Sequence, residues 1–170
     1  MKLTFLFALF SSLLAITSLA VESLTGEEQA FIQKAAIGDQ TEIKLSQIAS
    51  QRASIAEIKE FAQTMVTDHT KSSSLLKPIA IDHRVVLPEN LGSQAEENIK
   101  RLEGQSGAAF DKTYIEMMVK DHEEMLHAFE AAAAKVNDSK LKEFIATVQP
   151  VVAHHLEMAK AIRQNEKTAG

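Results

Sequence analysis

Residues 61–69 read FAQTMVTDH, and residues 114–122 read YIEMMVKDH. The two segments align without a gap, because an aromatic residue, a Met-Val pair and an Asp-His pair recur at the same positions. Their apolar residues are spaced by three and four, which places them on one face of a helix. The repeat therefore indicates two related helical halves, each with an inward-facing histidine. Chance similarity between two amphipathic helices is the alternative, since methionine and valine are common core residues.

Three of the four long predicted helices carry a histidine inside an apolar stripe, and these are His69, His122 and His155. Around each histidine the apolar residues recur every three or four positions, over residues 55–76, 115–136 and 141–162. Each imidazole should therefore point to where its helix packs against the others. The interior of a helix bundle is the usual place for a metal or cofactor site in such a fold.

Short polar segments mark where the predicted helices begin. The capping-box pattern, a Ser or Thr followed three residues later by Glu, occurs at residues 25–28, 54–57 and 93–96. In this pattern the hydroxyl accepts a backbone N–H of the helix and the glutamate reaches back to the first residue. We therefore expect long helices from Thr25 to near Gln51 and from Ser54 to about Pro78. A short helix should follow, from Ser93 to Gly104.

Two more long helices complete the pattern. The third should run from about Ser106 to Val136, and the fourth should follow the turn at residues 137–139 and last to about Lys167. Tight turns join the first helix to the second and the third to the fourth. A longer connection joins the second to the third and contains Pro78, Pro88 and Gly92. The predicted fold is all-α: a ferritin-like four-helix bundle of two helical hairpins, joined by a long crossover that contains a short helix.

The amino-terminal residues predict an exported protein. Lys2 precedes an apolar run from Leu3 to Ile16, and Ser18-Leu19-Ala20 offers the small residues that a signal peptidase recognises. We expect residues 1–20 to be a signal peptide and residues 21–170 to form one bundle domain, either periplasmic or secreted. An uncleaved anchor is the alternative, although the run is shorter than the ~20 residues of a spanning helix.

Composition narrows the classes of function. The chain has no cysteine, which excludes a disulfide scaffold, a thiolate zinc site and a covalent c-type haem. The net charge of −5 argues against nucleic acid as a partner. No later stretch predicts integral membrane insertion after signal cleavage. The expected partner is an envelope protein or a second copy of the chain. No nucleophile with a base is recognisable, so an enzyme is the least supported class.

The metal-ligand candidates extend beyond the three histidines of the stripes. His154 adjoins His155, and Glu42 is the ionisable residue on the packing stripe of the first helix. Asp68 and Asp121 each precede a stripe histidine, from where they could orient the imidazole of another helix. Ordinary exposed aspartates are the alternative. Counting residues from the turn of each hairpin gives the height of a side chain along its helix. His122 and His155 lie at nearly the same height, which favours them as a pair of ligands, whereas Glu42 and His69 differ more, so Glu42 is the weakest ligand candidate.

Residue types also favour certain metals. Neutral imidazole suits copper, zinc, iron and nickel. Methionines four residues from a histidine, at Met65, Met118 and Met158, favour copper, unless they only fill the core. One Glu-x-x-His motif is present, at Glu124 and His127, and it lies on the side of its helix away from His122. We therefore expect copper or zinc rather than a di-iron centre.

Several segments resemble a known family. They are residues 38–45, 61–69, 110–122 and 150–155, the last reading PVVAHH. From Leu24 to about Lys160 the chain resembles the bacterial ferritin-like family called domain of unknown function family 4142. The resemblance implies an exported four-helix protein. The family has no settled activity, and its members are often labelled outer-membrane proteins.

Two hypotheses about function follow. The first is an exported bundle that binds a metal ion through core histidines, in an envelope or stress role. The second is a non-catalytic structural or interaction module of the cell envelope, whose core histidines are structural.

Overall fold

The computed structural model of the protein describes residues 23–169, with side chains as far as residue 165. The predicted signal peptide, residues 1–20, lies outside the described residues. Within them the chain forms five helices and no strand, which confirms the all-α prediction. The helices are α1 (Gly26–Arg52), α2 (Ala56–Asp82), α3 (Ser93–Glu103), α4 (Gly107–Ala133) and α5 (Ser139–Ala169).

One of the three predicted capping boxes forms. The Thr25 hydroxyl accepts the Glu28 N–H at 3.2 Å, and the Glu28 carboxylate accepts the Thr25 N–H at 2.8 Å. The other two predictions are wrong: α2 begins after Ile55 and α3 after Gly92, both without a side-chain cap. Ser54 is diverted by a tertiary contact, because its hydroxyl and its N–H both donate to the Asp111 carboxylate of α4.

The helix α2 extends past Pro78 and ends at Asp82, four residues later than the sequence predicts. A proline inside a helix costs about 3 kcal/mol, because it removes one backbone hydrogen bond. Beyond it, Ile79 and Ala80 are buried against the core, at 6% and 1% exposure. Their burial offsets part of that cost and keeps the last turn helical.

The helices pack as two pairs. The most extensive contacts are between α1 and α2 and between α4 and α5. Smaller contacts join α2 to α5 and α1 to α4. The short helix α3 lies in the connection from α2 to α4 and contacts both α1 and α4. It therefore covers part of the seam between the two pairs. Over the part of the chain that the structure describes, no helix offers the continuous apolar length that crossing a bilayer requires.

Two apolar clusters fill the interior. One contains Leu45, Phe61, Met65, Tyr114 and Met118, among others, and the second includes Phe31, Leu76, Phe129, Phe144 and Val152. Along each long helix, buried polar residues separate the positions that enter the two clusters. We call this set the polar layer, and it comprises Asp39, Glu42, His69, His122 and His155. It is the interior level at which polar chemistry is available.

Candidate metal centre

The side chains of His69, His122 and His155 meet in the polar layer, and we call them the histidine triad. They come from α2, α4 and α5 and are 5%, 2% and 1% exposed. Their ring centroids are separated by 5.4 to 5.6 Å. One ligand nitrogen from each ring lies within 4.8 Å of the other two. The structure thus brings together the three histidines that the apolar stripes single out.

Each ring of the triad is anchored by one hydrogen bond directed away from its neighbours. The Nδ1 of His69 lies 2.9 Å from Asp39 Oδ1, and the Nδ1 of His122 lies 2.8 Å from the Met118 carbonyl oxygen. The Nε2 of His155 lies 3.0 Å from Asp68 Oδ2. Carbonyl and carboxylate oxygens accept, so each of these ring nitrogens carries the proton and donates it. This assignment of tautomers follows from the acceptors.

The opposite nitrogens are His69 Nε2, His122 Nε2 and His155 Nδ1. All three are buried and have no hydrogen-bond partner among the described residues. In the tautomers assigned above, each carries a bare lone pair, and a buried group left unpaired costs about 1 to 3 kcal/mol. A cation at the centre would satisfy all three.

The dimensions of the triad suit a transition metal after a small contraction. A metal–imidazole bond is about 2.0 to 2.1 Å long. Three nitrogens at the 4.8 Å limit lie about 2.8 Å from their common centre, so the rings must approach by less than about 1 Å. Rotation of the imidazoles about their side-chain torsions can supply such a movement.

Burial keeps the imidazoles of His122 and His155 neutral. Desolvation, together with repulsion from His69 and His155, lowers the pKa of His122 to about 3. Desolvation also lowers the pKa of His155, although the hydrogen bond to Asp68 opposes it. Neutral imidazole is the form that binds metal ions, so these two rings are ready to coordinate at physiological pH.

Aspartates orient two of the three rings, and only one of them lies where the sequence analysis placed it. Asp68 of α2 contacts the imidazole of another helix, as the sequence suggested. Asp121 forms no hydrogen bond with the triad; it is half-buried on α4, and desolvation raises its pKa to about 6. Asp39, which the sequence analysis missed, takes the role at His69 and also accepts a hydrogen bond from Ser73.

Asp39 left a weak signal in the sequence. It lies three residues before Glu42, so the two carboxyl groups share one side of α1. The packing stripe of α1 runs through Phe31, Ala35, Gly38 and Glu42, so the periodicity placed Asp39 beside the packing face rather than on it. Asp39 is one position further around α1 and contacts His69 and Ser73 of α2, so the packing of α2 against this side of α1 buries it. At 5% exposure Asp39 is as buried as His69.

Glu42 lies beside the triad but outside the group of nitrogens that converge. It is 4% exposed, and its Oε2 has no hydrogen-bond partner among the described residues. Desolvation, followed by repulsion from Asp121 and Asp39, raises the pKa of the Glu42 carboxyl well above its ordinary value. A protonated, neutral carboxyl group is therefore expected there.

His154 does not join the triad. Adjacent residues are about 100° apart around a helix, so when His155 faces inward His154 faces outward. The structure places His154 on the exposed side of α5, which corrects its inclusion among the ligand candidates. Glu124 and His127 are likewise exposed, as the sequence predicted. The Tyr114 hydroxyl forms its hydrogen bond with the Ser46 hydroxyl, at 2.8 Å, and takes no part in the triad.

A cleft of about 270 Å³ reaches the triad from the surface between α1, α3 and α4. His69, His122, Glu42, Asp121 and Met125 are among the residues that line it, and we call it the α1/α3/α4 cleft. Gly38 contributes to its wall, where an added Cβ would lie 2.3 Å from the Met125 terminal methyl carbon. The glycine therefore lets Met125 cross from α4 towards α1.

The chain is similar to a known family in sequence and to solved structures in fold. The profile of a family described as a domain of unknown function, DUF4142, matches residues 15–162. No curated protein matches the chain. A crystal structure of a DUF305 fragment from Deinococcus radiodurans is similar, with a TM-score of 0.76 and 8% identity, over 84% of this chain and 99% of that one.

A second similar structure is titled CopM in the Cu(II)-bound form. It has a TM-score of 0.68 and 16% identity, over 81% of this chain and 96% of that one. At such low identities both likenesses concern the fold alone.

Proposed function

The chain belongs to the DUF4142 family, and we propose that it binds a single copper ion through His69, His122 and His155. The observation that carries this proposal is the set of buried nitrogens without a partner, one on each ring of the triad. Each ring is already fixed by a hydrogen bond on its other side. Imidazoles that bind metals are oriented in this way, by an acceptor on the second nitrogen.

The donor set supports a borderline metal such as copper or zinc. Nitrogen ligands and buried carboxylates outside the triad do not match the four-carboxylate pattern of di-iron bundles. Met65 and Met118 are fully buried one turn from His69 and His122, in the apolar cluster beside the polar layer. Thioethers near imidazoles favour copper, especially Cu(I). The similar fold of CopM, described in a Cu(II)-bound form, adds support for copper.

The proposal includes the wider setting of the protein. We propose that the four long helices form a ferritin-like four-helix bundle, with α3 in the crossover between the two hairpins. Residues 1–20 would direct export and leave residues 21–170 as the mature domain, in the periplasm or secreted. Copper binding there would serve an envelope or stress role, either by sequestering the ion or by passing it to an envelope partner.

The test is a copper titration of protein purified without a polyhistidine tag. We expect one equivalent of copper per chain, and we expect a His122→Ala/His155→Ala variant to lose this binding. His154→Ala is the matched control, because it removes an exposed imidazole from the same helix, and it should bind as the wild type does. Elemental analysis and a competing chelator measure stoichiometry and affinity.

Two results would contradict the proposal. Copper binding that survives the double replacement would place the site elsewhere. Absence of both copper and zinc from the protein after exposure to each metal would instead favour the structural module, in which the triad only packs. In that case the double variant should lose thermal stability and nothing else.

A further inference from the structure

The α1/α3/α4 cleft approaches the triad from one direction. His69 and His122 line it, whereas His155, on α5, does not. The apolar clusters pack on both sides of the polar layer along the helix axes. A volume of about 270 Å³ holds several molecules of the size of water, each of which takes about 30 Å³ in the liquid. The cleft that His69 and His122 line is therefore large enough for a small molecule.

Three protein ligands leave a coordination position open. Metal sites with four protein ligands are closed and structural, while sites with three keep a position for water or another small ligand. Cu(II) prefers a tetragonal arrangement, so three imidazoles alone do not complete its coordination. The fourth ligand must come from Glu42 or from a molecule that enters the cleft.

Glu42 is placed to act on such a molecule. Its side chain lines the same cleft as His69 and His122, and its Oε2 is buried without a partner. Asp39 on its own helix and Asp121 on α4 both oppose a negative charge on Glu42. Lys34 and Glu124 also line the cleft. These surroundings, with the desolvation described above, favour a protonated carboxyl group that can donate a hydrogen bond into the cleft.

We infer that the cleft admits a small exogenous ligand, an anion or neutral oxygen or nitrogen donor of a few atoms, which completes the coordination of the triad-held metal and accepts a hydrogen bond from Glu42. This inference rests on the proposed function, because it requires a metal in the triad. It assigns Glu42 to the incoming ligand and leaves the metal to the imidazoles. It makes the site open to chemistry at the metal, where a purely structural site would be closed.

The experiment is an azide titration of the copper-loaded protein. Azide is a small anion that ligates Cu(II), and its binding is followed by a new charge-transfer absorption and by changes in the electron paramagnetic resonance spectrum. We expect saturable binding of one azide per copper. Glu42→Gln keeps a hydrogen-bond donor and should retain this affinity, whereas Glu42→Leu should weaken it about tenfold.

A pair of variants on α3 tests the route. Asn98 lines the cleft and is half-buried, so Asn98→Phe should fill the entrance and lower azide affinity or slow its binding at least several-fold. Glu97 is exposed and does not line the cleft, so Glu97→Phe is the matched control and should behave as wild type. Copper affinity should stay the same in both variants.

The outcomes separate this inference from the proposal beneath it. Failure to bind copper at the triad would overturn both. Copper bound normally without any azide binding would overturn the inference alone. Azide binding that appears only in Glu42→Leu would also overturn it, because Glu42 itself would then occupy the fourth position. Equal azide binding by Asn98→Phe and wild type would overturn the route.

Discussion

The hydrogen bond between Asp39 and His69 decides which nitrogen of that ring is left for a ligand. With Nδ1 held 2.9 Å from the Asp39 carboxylate, the lone pair lies on Nε2 at the triad. Asp68 does the same for His155 with the two ring nitrogens exchanged. The two carboxylates therefore orient the lone pairs towards the centre of the triad, and they would balance the charge of the copper ion that we propose there.

Replacement of Asp39 should weaken metal binding without removing a ligand. We expect Asp39→Ala to lower copper affinity about 10- to 100-fold, as is typical when the acceptor behind a metal-binding histidine is lost. Competition with a chelator of known affinity measures the change. Asp121→Asn is the control, because Asp121 forms no hydrogen bond with the triad, and its effect should be much smaller. Equal losses in the two variants would show that only general charge matters.

Sequence spacing located the triad better than it located the residues around it. A histidine inside an apolar stripe must face the interior, so His69, His122 and His155 could be read directly from the periodicity. Adjacency in the sequence to a stripe histidine was a poorer guide. His154 adjoins His155, but the rotation of about 100° per residue places it on the exposed side of the helix. Asp39 was missed because its burial depends on how α2 packs beside it, a tertiary property that the periodicity of α1 does not show.

The helix α4 fixes the turn between α1 and α2 through one buried carboxylate. Asp111 is fully buried and accepts the backbone N–H groups of Ser54 and Ile55, at 2.9 Å and 3.1 Å. A local capping box would have satisfied the first of these donors, the Ser54 N–H, with the Glu57 carboxylate from within α2. The pattern at residues 54–57 therefore predicts where the helix begins and fails to predict its cap, because the better acceptor lies 57 residues away.

Loss of the Asp111 carboxylate should destabilise the junction of the two hairpins. Asp111→Ala leaves buried N–H donors unpaired, and we expect the free energy of unfolding to fall by about 1 to 3 kcal/mol. Urea denaturation followed by circular dichroism measures the change. Ser54→Ala keeps the carboxylate on both N–H groups and should cost less. An unchanged denaturation midpoint in Asp111→Ala would contradict this account of the turn.

The polar layer between the two apolar clusters makes the free energy of unfolding of the whole molecule depend on pH. Burial lowers the pKa of His122 to about 3, against about 6.5 in an unfolded chain. Below pH ~6.5 His122 binds a proton in the unfolded chain but stays neutral in the folded protein. The contribution of His122 to the free energy of unfolding is therefore present above that pH and is lost as pH falls towards 3. The raised pKa values of Glu42 and Asp121 act in the opposite direction.

A comparison of variants isolates the His122 contribution. In metal-free protein we expect wild type to lose stability relative to His122→Leu by up to ~1.4 kcal/mol per pH unit as pH falls below about 6.5. Above that pH the difference should be constant. Urea denaturation of both proteins across this range, with a chelator present, provides the measurement. A difference that does not change with pH would mean that His122 titrates alike in the folded and unfolded protein, as a solvated imidazole does, and would contradict this account of its burial.

The fold class was predictable from the sequence, and the exact extent of its elements was not. Periodicity and turns predicted an all-α chain and the order of its helices. Pro78 was read as the end of α2, because proline disfavours helix locally, whereas burial of Ile79 and Ala80 carries the helix to Asp82. The cleft between α1, α3 and α4 could not be predicted, because it depends on where the short helix α3 packs against α1 and α4.

The most direct measurement is the electron paramagnetic resonance spectrum of Cu(II) bound to the protein, with one triad histidine replaced at a time. We expect nitrogen couplings from three imidazoles in the wild type, one fewer in each of the single variants of His69, His122 and His155, and no change in His154→Ala. A spectrum that the three replacements leave unaltered, or one that changes with His154→Ala, would show that the triad does not hold the copper ion.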